Sequence, residues 1–403
     1  MKIAIVSSTF LPAQEGVSIT LWERLQQLSQ DGHSVLCFVS SYREIGDLYP
    51  QWSNYVGQIL KNVEAIALDS QEWMGIKRER NPQRHTLAII DRALAKFQPD
   101  IIQIEEPERL WTTMFALPGL SYARRAGIPC IASYRTNFVD YLPDYTPRWA
   151  TGISQLLARQ LTRWIYNQYS TTLVGSKFIA QKLTAWGIKN VEYAPVIGTK
   201  SVASPQKLRQ SNYFSDRYGL STVDSTVKIL FLGRLSPDKN WHFNCQYLPR
   251  LERLDSYTII VAGTGELAVQ LQNELDTKIP LVMLGEIPCD RVLELLANVD
   301  LHVTSSLKET FGRTVQESLA VGTPVLAPSC PWTKNLIVNN FNGILYQAQN
   351  GEDFVKKLTE LIQQPDLRKN LQANALNNIE KQEPAKKWIE YLQTKIKHGL
   401  LKN

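Results

Sequence analysis

The stretch Ser305–Ala327 reads SSLKETFGRTVQESLAVGTPVLA. It overlaps a short apolar run, DLHVTSS (300–306), and closes on another, TPVLA (323–327). Between them Gly312 marks a turn, and Arg313 to Ala320 carries Val315 and Leu319 at i and i+4, the spacing of one helix face. Strand, glycine turn, helix and strand in succession form the repeat of a parallel sheet with helical crossovers. The amides that start such a helix, from about Gly312 to Thr314, lack acceptors within it and make an anion site. Glu309 stands before the helix and Glu317 on it. A carboxylate repels phosphate but accepts hydrogen bonds from vicinal hydroxyls. Phosphate on the amides, with one glutamate on a ribose and the other on a sugar, is one coherent reading. The other is an acidic capping residue at Glu309 and a solvated helix glutamate at Glu317.

The same alternation runs outward through the whole chain. IAIVSS (3–8) precedes helix-like VSITLWERLQQLSQDG (17–32) and SVLCFVS (34–40). DIIQIEE (100–106) leads to a helix-like segment ending in YARRAG (122–127) and then PCIASY (129–134). TTLVGS (171–176) precedes FIAQKLTAWGI (178–188). Such runs, rich in Ile and Val without polar alternation, predict strands buried on both faces. The pattern breaks at about 195–225, around APVIGTKSVASPQ, and restarts with VKILFLGRL (227–235), YTIIVAGTG (257–265) and PLVMLGE (280–286). The expectation is an α/β chain of two Rossmann-like domains. The first spans 1–198 with a C-terminal helix at 380–403, the second 199–379, with a linker near 197–205. The loops at the strand C-termini would then face one another across a cleft, the default ligand site of open α/β sheets.

A length of 403 residues suits two domains, and 44% hydrophobic with 20% charged residues is ordinary for a globular chain. No apolar run is long enough to span a bilayer, and MKIAIVSSTFLP reads as a first strand rather than a signal peptide. Cys37, Cys130, Cys245, Cys289 and Cys330 share no metal or redox spacing, which fits reduced thiols in a cytoplasmic protein. The net charge is +6, and residues 1–195 and the remainder each carry +3. No stripe of like charge marks a nucleic-acid partner. One basic run, KRERNPQRH (77–85), reads about equally as a solvated loop or as a cationic patch.

Two further loops resemble the first. In FLGRLSPDKNW (231–241), Gly233 permits a sharp turn and sets Arg234 and Lys239 just beyond a strand. Bidentate Arg and point-charge Lys suit a diphosphate, although two exposed surface cations fit the same pattern. In VAGTGELAVQL (261–271), Gly263 and Gly265 lack the third glycine of a dinucleotide fingerprint. They admit a nucleotide base or ribose, or they serve a plain strand-to-helix turn.

Taken together, GRLSPDK, GTGEL and ETFGRTVQESLAVGTPV, in this order, resemble the C-terminal domain of family 4 glycosyltransferases with the GT-B fold. STFLPAQEGVSITLWERLQQLSQDGHSV (8–35) and IIQIEEPE…ARRAGIPCIASYRTNF (101–138) are similar to the family's N-terminal domain. The resemblance implies a retaining enzyme that takes a nucleotide diphosphate sugar as co-substrate and needs no metal or other cofactor. The absence of Asp-x-Asp agrees with the last point. By the same resemblance Glu317 binds ribose hydroxyls and Glu309 the donor sugar. Arg234 and Lys239 neutralise the diphosphate, and Gly312, Arg313 and Thr314 offer amides. Gly16 lies close to the diphosphate, and the final helix, with Trp388 and Tyr391, crosses back onto the first domain.

Three departures stand out. Arg135, in SYRTNF, occupies a position where the family commonly has His near the reaction centre. It is read either as a functional cation or as a surface arginine at a strand end. CPWTKNLI (330–337) replaces a Gly-Gly followed by Glu, and APVIGT (194–199) replaces a Gly-Val-Asp element. The acceptor side is expected on the first domain, with Glu106, Asp140 and Asp144 as candidates to orient a hydroxyl. In GISQLLARQLTRWIYNQY (152–169), apolar Ile153, Leu156, Leu157, Leu161 and Trp164 recur at helical spacing. A core-facing helix is the favoured reading, a membrane-interface helix the other. With KRERNPQRH as a cationic patch, the second reading suits a glycolipid acceptor. The resulting expectation is transfer of a hexose to a hydroxyl acceptor, lipid or saccharide, with peripheral contact at the inner membrane surface. The alternative is a catalytically degenerate GT-B protein that binds a nucleotide sugar or a membrane surface without transfer. A third reading, a dehydrogenase, is argued against by STFLPAQEG, which stands where a dinucleotide fingerprint would be.

Overall fold

The computed structural model describes residues 1–194, 204–252, 255–377, 390–394 and 396, without the side chains of Asp144, Tyr145, Arg148 and Asn377. Most of the expected linker, all but Ala194 of the APVIGT stretch, and Trp388 lie outside the described residues. The chain divides into two compact units, Met1–Gly198 with Glu383–Asn403, and Thr199–Gln382.

The first unit opens with β1 (Lys2–Ser7), α1 (Gly16–Gln30), β2 (Ser34–Ser40), β3 (Gly57–Leu60) and β4 (Val63–Leu68). A hairpin of β5 (Ser70–Trp73) and β6 (Ile76–Pro82) follows, then α2 (Leu87–Phe97), β7 (Ile101–Glu105), α3 (Pro107–Met114), α4 (Leu120–Ala126) and β8 (Cys130–Tyr134). Helices α5 (Phe138–Tyr145) and α6 (Arg148–Tyr166), β9 (Thr171–Val174), α7 (Lys177–Ala185) and β10 (Val191–Tyr193) complete it. The sheet order is β10-β9-β8-β7-β1-β2-β4-β3, parallel throughout except for the β3–β4 edge pair.

Successive side chains of the buried strands enter two separate cores, as a period of two requires. Ile3, Ile5, Val35 and Ile101 pack on one face with Leu21, Leu25 and Leu28 of α1. Ala4, Val6, Leu36 and Ile102 pack on the other with Ile90 of α2 and Ile179 of α7. Helical residues 390–394 add the fully buried Leu392 to the α1 face, so the C-terminal segment does return to this unit.

KRERNPQRH is mostly strand rather than loop, with Lys77, Arg78, Arg84 and His85 exposed and its centre buried. Most of it is β6, paired antiparallel with β5, and Glu79, Arg80 and Asn81 are buried. Arg80 pairs with Glu44, Arg109 with Glu79 at 2.7 Å, and Asn81 donates to the Arg109 carbonyl at 2.7 Å. The counter-charges come from distant segments, which a local run of cations does not reveal.

The second unit begins with α8 (Tyr213–Tyr218) and α9 (Ser221–Asp224). Its strands are β11 (Val227–Leu232), β12 (Tyr257–Ala262), β13 (Leu281–Gly285), β14 (Leu301–Val303), β15 (Val325–Pro328) and β16 (Gly343–Tyr346). Between them lie α10 (Trp241–Tyr247), α11 (Ala268–Leu275), α12 (Val292–Ala297), α13 (Arg313–Ala320) and α14 (Pro331–Lys334), with α15 (Gly351–Gln363) and α16 (Pro365–Asn377) at the end. The order β13-β12-β11-β14-β15-β16 is all parallel. Strand order reverses between β11 and β14 here, and between β1 and β7 in the first unit. Loops leaving strands at such a switch point part to opposite faces and leave a crevice at the C-terminal edge.

Candidate active site

In the second unit the two loops that flank the switch point carry the expected charges. Gly233, with φ of 143°, turns the chain off β11, and Arg234, Asp238 and Lys239 follow. The loop after β14 carries Glu309 and ends at Gly312, which caps α13 at φ of 69°. Lys239 Nζ lies 2.5 Å from Glu309 Oε1 and 3.6 Å from Asp238 Oδ2. Arg234 Nη2 is 3.9 Å from the same Asp238 oxygen, while Ser236 Oγ donates to Asp238 Oδ1 at 2.6 Å. Asp238 is thus a buried hinge between two cations. Burial alone would lower the Lys239 pKa, but Glu309 and Asp238 overcome both burial and Arg234 and hold it above its ordinary value. Lys239 therefore stays protonated.

Helix α13 spans the residues predicted for it. Neither bland reading of its glutamates survives. Its cap is Gly312, with no side-chain capping bond, so Glu309 is not the capping residue. Glu317 is buried rather than solvated, and accepts from Arg313 Nε at 2.7 Å.

The glycines divide by role. A Cβ on Gly263 would fall 1.9 Å from the Gly233 carbonyl oxygen, and one on Gly265 would fall 2.3 Å from that of Leu235. These two let the β12 loop seat the β11 loop, whose Leu235 amide donates to the Thr264 carbonyl at 2.9 Å. A Cβ on Gly312 would fall 2.5 Å from the Trp332 ring. Trp332 belongs to the divergent CPW stretch, which forms α14. It is buried and donates Nε1–H to the Ser306 carbonyl at 3.2 Å. The departure from Gly-Gly therefore fills the space behind the glutamate loop with an indole.

The remaining candidates lie in the first unit. Arg135, just beyond β8, is not a surface arginine. It is buried, and its Nε donates to Glu105 Oε2 at 2.7 Å. Glu105 is fully buried at the end of β7 and also accepts from Arg24 Nη1 at 2.9 Å and Gln103 Nε2 at 2.5 Å. Glu106, at φ of 52°, accepts from Ser8 Oγ at 3.1 Å and from the Thr136 hydroxyl. Burial raises its pKa against the pull of Arg109, Thr136 and Ser8. Asp140 on α5 pairs with Lys182 and accepts from Asn137 Nδ2 at 2.7 Å. Asp144 lies on α5 with its side chain outside the described residues. Gly16 opens α1, and a Cβ there would meet nothing within 4 Å.

Sequence reasoning missed Asp238, Glu105, Arg24 and His302. A polar residue in the middle of an otherwise apolar buried run, as in DLHV, was the available signal for His302. The others acquire partners only through the fold.

Two family models match the chain, glycosyltransferase family 4 over residues 15–195 and glycosyl transferases group 1 over residues 217–378. The chain is a family 4 glycosyltransferase. This glycosyltransferase is 25% identical to the alpha-monoglucosyldiacylglycerol synthase of Streptococcus pneumoniae, across 100% of this chain and 88% of that protein. It is also 25% identical to a GDP-mannose-dependent alpha-mannosyltransferase of Mycolicibacterium smegmatis, across 87% and 86%. Its fold matches the crystal structure of Anabaena HepE in complex with UDP and glucose, with a TM-score of 0.72, 14% identity, and coverage of 98% of this chain and 100% of that one. The fold of the glycosyltransferase is GT-B, and its donors are nucleotide sugars. Among its described residues no helix is long and apolar enough to cross a membrane.

Proposed function

We propose that this glycosyltransferase moves a hexose from a nucleotide diphosphate sugar to a hydroxyl of a lipid or saccharide acceptor, with retention of configuration and without a bound metal. The observation that carries the reading is the placement of Lys239 between Asp238 and Glu309 at the end of β11, beside the start of α13. Lys239 and Arg234 take the diphosphate, joined by the first amides of α13, so that fixed dipoles and cations stabilise the charge that develops on the leaving group. As the donor enters, Lys239 exchanges Glu309 for phosphate, and Glu309 turns to sugar hydroxyls. Glu317, oriented by Arg313, accepts from the ribose hydroxyls. Gly16, the residue with open space at the start of α1, lets backbone approach the diphosphate.

The bond between the anomeric carbon and the phosphate oxygen breaks as the acceptor oxygen bonds to the same face of that carbon. The acceptor proton passes to the departing phosphate, so no dedicated base is required. Arg135 is assigned to the reaction centre, where its pair with Glu105 fixes the guanidinium. Glu106 and the acids of α5 orient the acceptor. The enzyme meets a lipid acceptor by peripheral contact with the membrane surface.

The test is release of nucleoside diphosphate from a panel of UDP-, GDP- and ADP-sugars, run with the wild type and with Lys239→Ala and Glu317→Ala. Thermal shift on the same panel identifies the nucleotide, because a ligand that binds only the native state raises the midpoint by mass action. Turnover unchanged in both variants would rule out the site.

A further inference from the structure

Helix α6 was expected to turn its apolar face to the core, and it does not. Trp149 is 84% exposed, Ile153 66%, Leu156 57%, Leu157 64% and Trp164 50%. With 3.6 residues per turn these five fall in one arc of about 100°. The opposite side of the helix is the buried one, with Thr162, Ile165 and Tyr166 against the unit's core. The helix therefore has two apolar faces, and only one is used by the fold. The outward face continues onto the neighbouring helix. The Trp164 ring packs on Trp111 at 6.4 Å, and Trp111 on Phe115 at 5.6 Å. Phe115, at the C-cap of α3, is 63% exposed.

The charges on this helix have one sign. Helix α6 contains Arg148, Arg159 and Arg163 and no acidic residue. Residues 121–190 hold nine Lys and Arg against two Asp and Glu, a balance of +7 where the whole chain has +6. The even split of charge between the two halves of the chain conceals this concentration. Arg159 and Arg163 are exposed on the flank of the apolar arc that faces α7. There the Arg159 guanidinium lies over the Trp186 ring at 5.6 Å. Arg124 of α4 is exposed at the C-terminal end of α6, 3.1 Å from Gln168 Oε1. Of the two acids, Asp140 is already paired with Lys182.

We propose that the outward face of α6, with Phe115, is a docking surface for an anionic lipid bilayer. An apolar arc rich in Trp and Leu, flanked by exposed arginines, matches a helix lying in the plane of the interface. Its side chains enter the acyl boundary while the guanidinium groups reach lipid phosphates. A second copy of this chain is the poorer occupant, since a twofold contact would set two strongly basic fringes against each other. The proposal deepens the transferase reading by naming where the enzyme meets a lipid acceptor. It rests on that reading only for the purpose of docking.

The experiment is cosedimentation of the full chain, without donor, with vesicles of phosphatidylcholine alone or mixed with phosphatidylglycerol. The wild type is expected to partition onto the mixed vesicles and far less onto phosphatidylcholine. Trp149→Ser/Leu156→Ser/Leu157→Ser lowers that partition roughly tenfold or more, because buried apolar area is lost, with the unfolding midpoint unchanged. Arg159→Glu/Arg163→Glu keeps the apolar face and abolishes the preference for anionic vesicles, which keeps the test decisive should the triple variant fail to fold. Wild type that stays in the supernatant with both vesicles overturns the proposal, as does either folded variant binding like wild type. Self-association of the wild type that is lost in the triple variant, with vesicle binding intact, assigns the face to a second copy and also overturns it. Nucleoside diphosphate release is measured separately without vesicles. Its absence alongside intact vesicle binding refutes the transferase reading and leaves the docking surface standing.

Discussion

The imidazole of His302 is bonded to the hydroxyl of Thr314, with Nε2 3.3 Å from Oγ1. The other ring nitrogen, Nδ1, lies 3.1 Å from the Leu230 carbonyl oxygen. A carbonyl only accepts, so Nδ1 carries the proton and Nε2 of the neutral ring accepts from Thr314. Thr314 lies in the first turn of α13. The helix whose amides are proposed to hold the donor is therefore tied through β14 to β11, and the tie depends on a neutral histidine.

Burial pushes the His302 pKa down to about 4 from 6.5, with the Leu230 bond opposing. A group whose folded pKa is depressed binds fewer protons than in the unfolded chain between those values. Its contribution to stability is complete above pH 6.5 and is lost as the pH falls towards 4. Denaturant unfolding of wild type and His302→Gln across this range should show the variant losing less stability on acidification, by on the order of 3 kcal/mol.

Lys239 is held charged by Glu309 and Asp238. Lys239→Ala should lower kcat for nucleoside diphosphate release by roughly 10²- to 10³-fold, the range for loss of one preorganised partner of a developing anion. The donor KM should move less. Steady-state kinetics with the donor picked out by thermal shift provide the measurement.

Gly312→Ala combines a positive φ with a Cβ 2.5 Å from the buried Trp332 ring. It should destabilise the protein by about 1–3 kcal/mol and weaken nucleotide binding. Adding Trp332→Phe should recover part of the loss. Strict additivity of the two substitutions in denaturant unfolding would argue against this contact.

Glu105→Gln would leave Arg24 and Arg135 buried beside each other without their shared carboxylate. The expected cost is about 3–5 kcal/mol, the magnitude for breaking a buried ion pair from one side. Arg135→His, which restores the residue common in the family, should cost less in stability, because Glu105 keeps Arg24. Denaturation midpoints and donor turnover, measured together, separate the structural part of this network from the catalytic part.

If the leaving group is stabilised by Lys239, Arg234 and the amides of α13 alone, EDTA should leave turnover unchanged and added Mg²⁺ should not raise it. A chelator-sensitive rate would refute the metal-independent reaction.

Much of the second unit was legible in the residues themselves. The buried strands announced themselves as unbroken Ile and Val runs, and helix α13 lies where Val315 and Leu319 placed it. Strands β3, β5 and β6 were not legible, because short, polar, antiparallel strands lack the apolar run of a buried one. Nor was β16, whose GILY is too short to stand out. Strand β4 was missed although it pairs parallel with β2. The partners of the candidate residues were hidden for a different reason. Lys239 and Glu309 are seventy residues apart, and Arg135 and Glu105 thirty, so no spacing rule joins them.

The sequence by itself determined the class of this protein. Periodic burial, glycine turns and the order of three loops reflect local backbone and hydrophobic requirements, and those are written residue by residue. Only the tertiary structure decided which charges are paired and which apolar faces are covered. Glu317 and Arg135 became buried ion-pair members because neighbouring elements exclude water from them. The apolar pattern of α6 favoured a core helix, yet its outward face stays exposed because α6 meets the core through Thr162, Ile165 and Tyr166 instead. Periodicity says that a face is apolar, whereas what covers that face depends on elements distant in the chain.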